Sequence, residues 1–392
     1  MAASGLIARI CRGLLLIAAL GLLAACQESG IPKDQRPVPA KLAAKMQQLD
    51  MDPKAPIYIR SYKESSEFEV WKQKRDGQYA LLATYSICKW SGKLGPKVRE
   101  GDRQAPEGFY TITPGQMNPR SSYYLSFNIG FPNAYDRALG RTGTNLMVHG
   151  ACSSAGCYSM TDEAAGEIYA LARDSFLGGQ RSFEVHLYPF RMTPENMAKH
   201  RNDPNFEFWV MLKQGSDHFE VMRKPPQVAV CGKRYVFDVS SGGIPLDASA
   251  PCPPLSTPEW LDAAVKQKQM KDDAAFQIAS VKYQADEQKA AADAQKKAEA
   301  DQIAAAKAAG APAAAAPAEG SVAAAAAPGT AAVATVDEAS AAALSIPVEG
   351  VPAPGVPLPT PSPLRATVAP AEPPPAKPGF WNNMKKKLSL QG

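Results

Sequence analysis

The C-terminal stretch Ala311–Pro378 contains no Phe, Tyr or Trp, and this limits the fold more than any other feature of the sequence. Fifteen prolines lie between Gly310 and Pro378 among runs of alanine. A segment of this composition cannot bury enough apolar surface to balance the entropy of ordering its backbone. We therefore predict a disordered Ala/Pro-rich tail with a basic end over residues 310–392, and a core built from the preceding part of the chain.

The N-terminus has the pattern of a secretory signal. Arg9 and Arg12 precede Gly13–Ala25, an apolar run of 13 residues. A basic region followed by about 7–15 apolar residues is typical of a signal peptide and is too short to span a membrane. The run ends in Leu23-Ala24-Ala25-Cys26, which resembles a bacterial lipobox, and Gln27 lacks the acidic character that retains lipoproteins in the inner membrane. We therefore predict an outer-membrane lipoprotein that faces the periplasm and carries its lipid on Cys26; the alternative is an ordinary cleaved signal near a cysteine.

Seven cysteines have to be assigned. If Cys11 leaves with the signal and Cys26 carries lipid, five remain, and because five is odd at least one thiol stays free in an oxidising compartment. Cys231 and Cys252 lie in a Gly/Pro/Ser-rich segment, where a disulfide would constrain a part of the chain with little regular structure. Spacing alone does not establish this pairing. The five are Cys88, Cys152, Cys157, Cys231 and Cys252.

Between Ala55 and Asp238 the chain has short β-branched and aromatic runs, separated by turn residues such as Asp76-Gly77. This pattern is typical of antiparallel strands. Apolar positions at helical spacing predict one helix over Asp162–Phe176, with Thr161 as its N-cap. The fold class expected is mainly β (α+β) with one or two helices. Predicted strands are Ile57–Arg60, Phe68–Trp71, Tyr79–Leu82, Phe109–Ile112, Leu125–Ile129, Leu146–Val148, Phe183–Leu187 and Phe206–Leu212.

The composition changes along the chain predict six segments. The Ala/Lys-rich part has strong helix propensity but no sustained heptad pattern, which favours a solvated helix over a coiled coil. A net charge of +5 from 43 basic and 38 acidic residues is too small to argue for nucleic acid, and no basic–aromatic platform accompanies it. The segments are a signal peptide (1–25), a tether (26–54), a globular domain (55–240), a Pro/Ser-rich connector (241–257), a solvated helix (258–309) and the tail (310–392).

One short segment combines residues that can carry chemistry. His149 lies at the end of an apolar predicted strand, and Cys157 lies at the end of a loop of small residues, just before the predicted helix. A helix N-terminus or an imidazole lowers the pKa of a thiol, and the thiolate is the nucleophile. Gly156 has no side chain, so the N–H groups of Gly156 and Cys157 can point at one oxyanion. We predict a Cys–His acyl-transfer site, with the Gly150 carbonyl orienting the imidazole.

Two other interpretations of these residues stay open. Cys157 could be a buried structural thiol or the disulfide partner of Cys152. Alternatively, His149, Cys152 and Cys157 could bind zinc, although no fourth ligand has the usual spacing and an oxidising compartment disfavours free thiolates. We expect no metal and no cofactor.

His149-Gly150 followed by Ser154-Ala155-Gly156-Cys157 resembles the HG…SxGC signature of the L,D-transpeptidase (YkuD-like) family. The chain is most similar to the YafK-type branch of that family, and the likeness covers about Ala55–Val221. The other motifs that match this branch are Gly95-Pro96-Lys97, Glu100-Gly101-Asp102, Ala105–Tyr110, Cys157–Asp162 and Tyr188–Thr193.

The resemblance implies an L,D-transpeptidase-type β-sandwich that acts on meso-diaminopimelate-containing stem peptides of peptidoglycan. Cys157 would attack the peptide and form a thioester, with His149 as the base, and a second molecule would resolve the thioester. Ser154, Gly156 and Gly150 would position the carbonyl and its oxyanion. The implied partners are peptidoglycan stem peptides, wall-linked outer-membrane proteins, and the membrane through the lipid anchor.

Two departures from the family pattern leave the outcome of the reaction open. Many members have His where this chain has Ala155, and many have Arg where it has Ser159. Nucleophile, base and glycine all remain, so these changes suggest altered substrate handling rather than an inactive site. A hydrolase of the same fold, which cleaves peptidoglycan–protein or peptidoglycan cross-links, is therefore the second interpretation. A non-catalytic wall-binding lipoprotein is the third.

Overall fold

A computed structural model describes residues 30–310 of the chain. The predicted signal peptide, the lipobox cysteine Cys26 and the Ala/Pro-rich tail lie outside these residues. The strands are β1 (Ile57–Tyr62), β2 (Glu67–Gln73), β3 (Tyr79–Ser86), β4 (Lys89–Trp90), β5 (Gly108–Ile112), β6 (Met117–Asn118), β7 (Ser126–Asn128), β8 (Met147–His149), β9 (Tyr158–Ser159), β10 (Phe183–Tyr188), β11 (Val228–Cys231) and β12 (Arg234–Phe237). The helices are α1 (Ala40–Gln48), α2 (Ala134–Ala138), α3 (Asp162–Leu177), α4 (Pro194–Lys199), α5 (Phe206–Met222) and α6 (Glu259–Gly310).

Two mixed sheets of five strands form the frame of the domain. The first has the order β3-β2-β1-β10-β5, in which only β1 and β10 run parallel. The second has the order β4-β9-β8-β7-β6, in which only β8 and β9 run parallel. A separate hairpin joins β11 to β12. The predicted α+β fold with a predominance of strands is confirmed.

The central strand β1 of the first sheet is buried on both faces, since all six of its residues are buried. Ile57 and Ile59 belong to a core that also contains Val148 of the second sheet, so this core lies between the sheets. Tyr62 belongs to another core, which it shares with Trp209 of α5. Residues that alternate along one strand therefore serve two cores.

The predicted strand over Phe206–Leu212 is wrong, because this run begins helix α5. A short apolar run is compatible with either structure until its flanks are considered. The buried side chains continue at helical spacing, from Trp209 and Leu212 to Ser216 and Phe219. One face of a helix thus covers the outer side of the first sheet.

The described part of the predicted tether packs on the domain. Leu42 and Met46, four residues apart on α1, are buried together with Met51 in the core between the sheets. The globular unit therefore includes this helix and begins well before Ala55.

The predicted solvated helix is present as α6, but one face of its first half is buried. Leu261, Val265 and Phe276 are buried, and Phe276 packs in the core around α5. The compact unit extends to Ala291, and a second unit begins at Ala292. All side chains over residues 284–308 are exposed. Among the described residues, no helix combines the length and the apolar character needed to cross a membrane.

Candidate active site

His149 ends strand β8, which pairs in parallel with β9 so that Val148 lies opposite Tyr158 and His149 opposite Ser159. Val148 and Tyr158 are buried in the core between the sheets, so strand alternation places His149 on the other face. Its Nδ1 lies 2.6 Å from the Gly150 carbonyl oxygen. A carbonyl only accepts, so we assign the proton to Nδ1, which leaves the lone pair of the neutral ring on Nε2. The sequence predicted this carbonyl as the orienting group.

Cys157 directly precedes β9 and is the free cysteine among residues 30–310. The Met147 N–H donates to its Sγ at 3.4 Å, and the Sγ lies 3.8 Å from the Asn145 carbonyl oxygen. The register places Cys157 beside Met147, two residues before His149 along β8. Cys157 lies just before this ladder begins, and the Met147 N–H contact holds its thiol beside β8. The ladder thus brings the predicted nucleophile and base to neighbouring positions.

Burial raises the pKa of the Cys157 thiol above its ordinary value. The Met147 N–H and the Lys97 ammonium act in the opposite direction but do not outweigh the desolvation. The expectation that a helix N-terminus lowers this pKa was wrong, because β9 separates Cys157 from α3, which begins at Asp162. The thiol is therefore protonated near neutrality and needs a base when it reacts.

Ser154 closes the loop that precedes the thiol. Its hydroxyl donates to the Cys157 carbonyl at 2.6 Å and accepts from the Gly156 N–H at 3.3 Å. The Ser91 hydroxyl lies 3.0 Å from the same oxygen. The Gly156 N–H is therefore engaged by a side chain instead of being directed at an oxyanion as the sequence led us to expect. Serine hydroxyls commonly compete in this way for nearby backbone groups.

Gly150 and Gly156 occupy positions that require glycine for different reasons. Gly156 has φ +132°, a conformation that residues with a side chain rarely adopt. A Cβ on Gly150 would overlap Asp162 Oδ1 and come within 3.0 Å of Tyr124 Cβ. The same Asp162 oxygen accepts from the Ala151 N–H at 2.8 Å. The turn after the histidine is thus packed directly against the start of α3.

A disulfide joins Cys152, inside this loop, to Cys88 next to β4. Cys152 is therefore not the partner of Cys157, nor a thiolate that could bind zinc. Among the residues that the structure describes, no group of three or more His, Cys, Asp or Glu side chains could hold a metal ion. The other described bridge, Cys231–Cys252, is the one that the sequence suggested.

Tyr123 is a site residue that the sequence analysis missed. Its ring centroid lies 4.8 Å from that of His149, and its side chain is 51% exposed. Lys97, whose charge acts on the thiol, was known only as part of a matching motif. Nothing in the local sequence links Tyr123 to His149, because strand β7 lies between them and only sheet pairing brings them together.

Comparison with known proteins agrees with this geometry. The family model for the YkuD L,D-transpeptidase catalytic domain matches residues 70–185, which include β8, the loop and β9. The chain is 49% identical over 182 residues to a protein of Escherichia coli (strain K12) named "Putative L,D-transpeptidase YafK", and the match covers 46% of this chain and 74% of that protein. The chain belongs to the L,D-transpeptidase family. The protein of the same name from Escherichia coli O157:H7 gives the same values.

Membership of the L,D-transpeptidase family confirms the predicted resemblance, including its YafK-type character. Among solved structures, the helical cell shape determining protein Pgp2 from Campylobacter jejuni is 16% identical, and the match covers 48% of this chain and 79% of that chain. Its TM-score is 0.28, which is too low to support an argument.

Proposed function

We propose that this member of the L,D-transpeptidase family is a cysteine acyltransferase that acts on peptidoglycan stem peptides. One observation carries the proposal: the free thiol of Cys157 lies beside Met147, two residues before His149 on β8, and the His149 Nδ1 is held by the Gly150 carbonyl. This arrangement leaves Nε2 as the basic nitrogen of the neutral ring. A partly buried thiol near an oriented base is suited to nucleophilic attack on an amide.

In the proposed reaction, Cys157 Sγ attacks the carbonyl carbon of a stem-peptide amide while His149 Nε2 takes the thiol proton. The tetrahedral intermediate collapses as its C–N bond breaks, and the imidazolium returns the proton to the leaving amine. The thioester that remains is then attacked by an amine or by water, with His149 again taking the proton, and the thiol is released. We propose that the Cys157 N–H stabilises the oxyanion, because the Gly156 N–H is engaged by Ser154.

Intact-protein mass spectrometry with a diaminopimelate-containing tetrapeptide fragment tests this proposal. We expect an acyl adduct on Cys157 in the wild type and none in Cys157→Ala. An unmodified wild-type protein that still binds the fragment would favour a non-catalytic wall-binding role. Product analysis then identifies the acceptor, because a cross-linked dimer requires an amine and a shortened peptide requires water. Peptidoglycan carrying a linked protein should be assayed in parallel to test whether such proteins are released.

We further propose that the protein is anchored to the outer membrane through Cys26 and works in the periplasm. Two disulfides in the described residues fit an oxidising compartment. Cys26→Ser should release the protein from the membrane fraction, because lipid chains contribute about 0.8 kcal/mol per buried methylene. Cys11→Ser, which alters the signal without altering the lipobox, is the matched control. Cys26→Ser protein that still sediments with outer membranes after a high-salt wash would contradict the anchor.

A further inference from the structure

We propose that the segment Ile31–Pro39, here called the strap, is a functional part of the active site: its Lys33 positions Tyr123 against His149. The inference rests on the proposed role of His149 as the base. The strap lies outside residues 70–185, the range of the family match. Three sets of contacts support the inference. Helix α3 contacts the strap, the strap contacts the loop that carries Tyr123, and this loop contacts His149.

Tyr123 contacts the histidine in two ways. Its ring lies 4.8 Å from the imidazole, centroid to centroid, at an angle of 38°. Its carbonyl accepts from the Gly150 N–H at 3.0 Å, and Gly150 is the residue whose own carbonyl holds His149 Nδ1. The ring and the backbone of one residue therefore contact both the imidazole and its orienting turn. Movement of this loop would move the base.

Lys33 donates hydrogen bonds to two carbonyls of the loop that carries Tyr123. Its ammonium lies 2.5 Å from the Tyr124 carbonyl oxygen and 3.3 Å from that of Ser121, so the two acceptors lie on either side of Tyr123. The same ammonium is 5.5 Å from the centre of the Tyr124 ring. Tyr124 has φ +65°, a conformation that costs about 1–3 kcal/mol and persists only where surrounding contacts hold it. Lys33 supplies such contacts.

The other side of the strap is held by helix α3. Arg173 donates to the carbonyls of Asp34 and Arg36 at 2.8 and 2.9 Å. Arg36 in turn donates to the Tyr124 hydroxyl at 3.4 Å. The strap is thus fixed on a long helix whose first residue, Asp162, packs against Gly150. Both ends of this chain of contacts meet at the turn beside His149, so the strap connects the loop that carries Tyr123, through Lys33, to helix α3, through its backbone carbonyls.

The test is a double-mutant cycle between Lys33→Met and Tyr123→Ser in the mature protein. Lys33→Met keeps much of the aliphatic side chain but removes the ammonium. Each single variant should lower kcat about tenfold with little change in KM, since a misplaced catalytic group costs rate. In the Tyr123→Ser background, Lys33→Met should cause no further loss, because Lys33 acts through Tyr123. Lys45→Met, an exposed lysine on α1, is the control.

Two results would overturn the inference. One is full activity of Lys33→Met, and the other is an equal loss of activity when Lys33→Met is introduced into the wild type and into Tyr123→Ser. A purely structural role would give additive effects and a lower unfolding temperature. The alkylation rate of Cys157 with iodoacetamide needs no substrate and separates this inference from the proposed function. If His149→Ala changes neither turnover nor alkylation, the proposed function fails. If His149→Ala lowers both rates and Lys33→Met lowers neither, only the role of the strap fails.

Discussion

At the scale of single residues, the partly buried thiol of Cys157 should make the proposed reaction dependent on the base His149. Burial raises the pKa of Cys157, so only a small fraction is thiolate at neutral pH and this fraction grows as pH rises. His149→Ala should therefore lower turnover at pH 7 by about 10²–10⁴-fold. The loss should shrink as pH rises, because more of the thiolate then forms without a base. A pH–rate profile checks this, with His200→Ala as control; a loss that does not vary with pH would contradict it.

Glu184 on β10 makes stability depend on pH. Burial raises its pKa to about 7, although a hydrogen bond from Thr111 acts in the opposite direction. The folded state therefore holds this proton more tightly than the unfolded state, and stability decreases as pH rises from about 4.5 to 7. Glu184→Gln should raise the unfolding temperature at pH 8 relative to the wild type but not at pH 4. Exposed Glu100→Gln is the control, and equal shifts at both pH values would refute the argument.

At the scale of elements, the two disulfides should differ in what they do for activity. Cys88–Cys152 holds the loop between His149 and Cys157, whereas Cys231–Cys252 closes the segment after β11. Removing either bridge should cost about 2–4 kcal/mol of stability. Only the double variant Cys88→Ser/Cys152→Ser should also lower kcat, because its loop carries the nucleophile. Thermal unfolding and turnover of both double variants test this; equal kcat values would show that the loop keeps its geometry unaided.

At the scale of the whole molecule, helix α6 decides where the folded unit ends. A chain that ends at Ala291 should keep the unfolding temperature of the mature protein, because the side chains beyond it that the structure describes are exposed. A chain that ends at Thr257 loses three buried apolar side chains worth about 1.5–3 kcal/mol each. It also removes Asp272, a carboxylate that pairs with the buried Lys213, as Asp217 also does. Calorimetry of both truncations checks this, and equal midpoints would contradict the packing.

The sequence by itself determined seven of the twelve described strands and the α3 helix, and it singled out His149 and Cys157 as candidates within one motif. These features are local: alternation, capping and short spacing lie within a few residues of one another. It did not separate strand from helix at Phe206, because a short run of apolar residues fits both.

Only the tertiary structure decided how the motif is held. The partner of Cys152, the packing of α1 and of the first half of α6, and the contacts of Tyr123 all join residues that are distant in the chain. The direction of the Cys157 pKa shift also depends on the tertiary structure, because desolvation of the thiol is set by the assembled core and not by the neighbouring sequence. Local sequence sets which residues can react; burial and long-range contacts set their orientation and their charge.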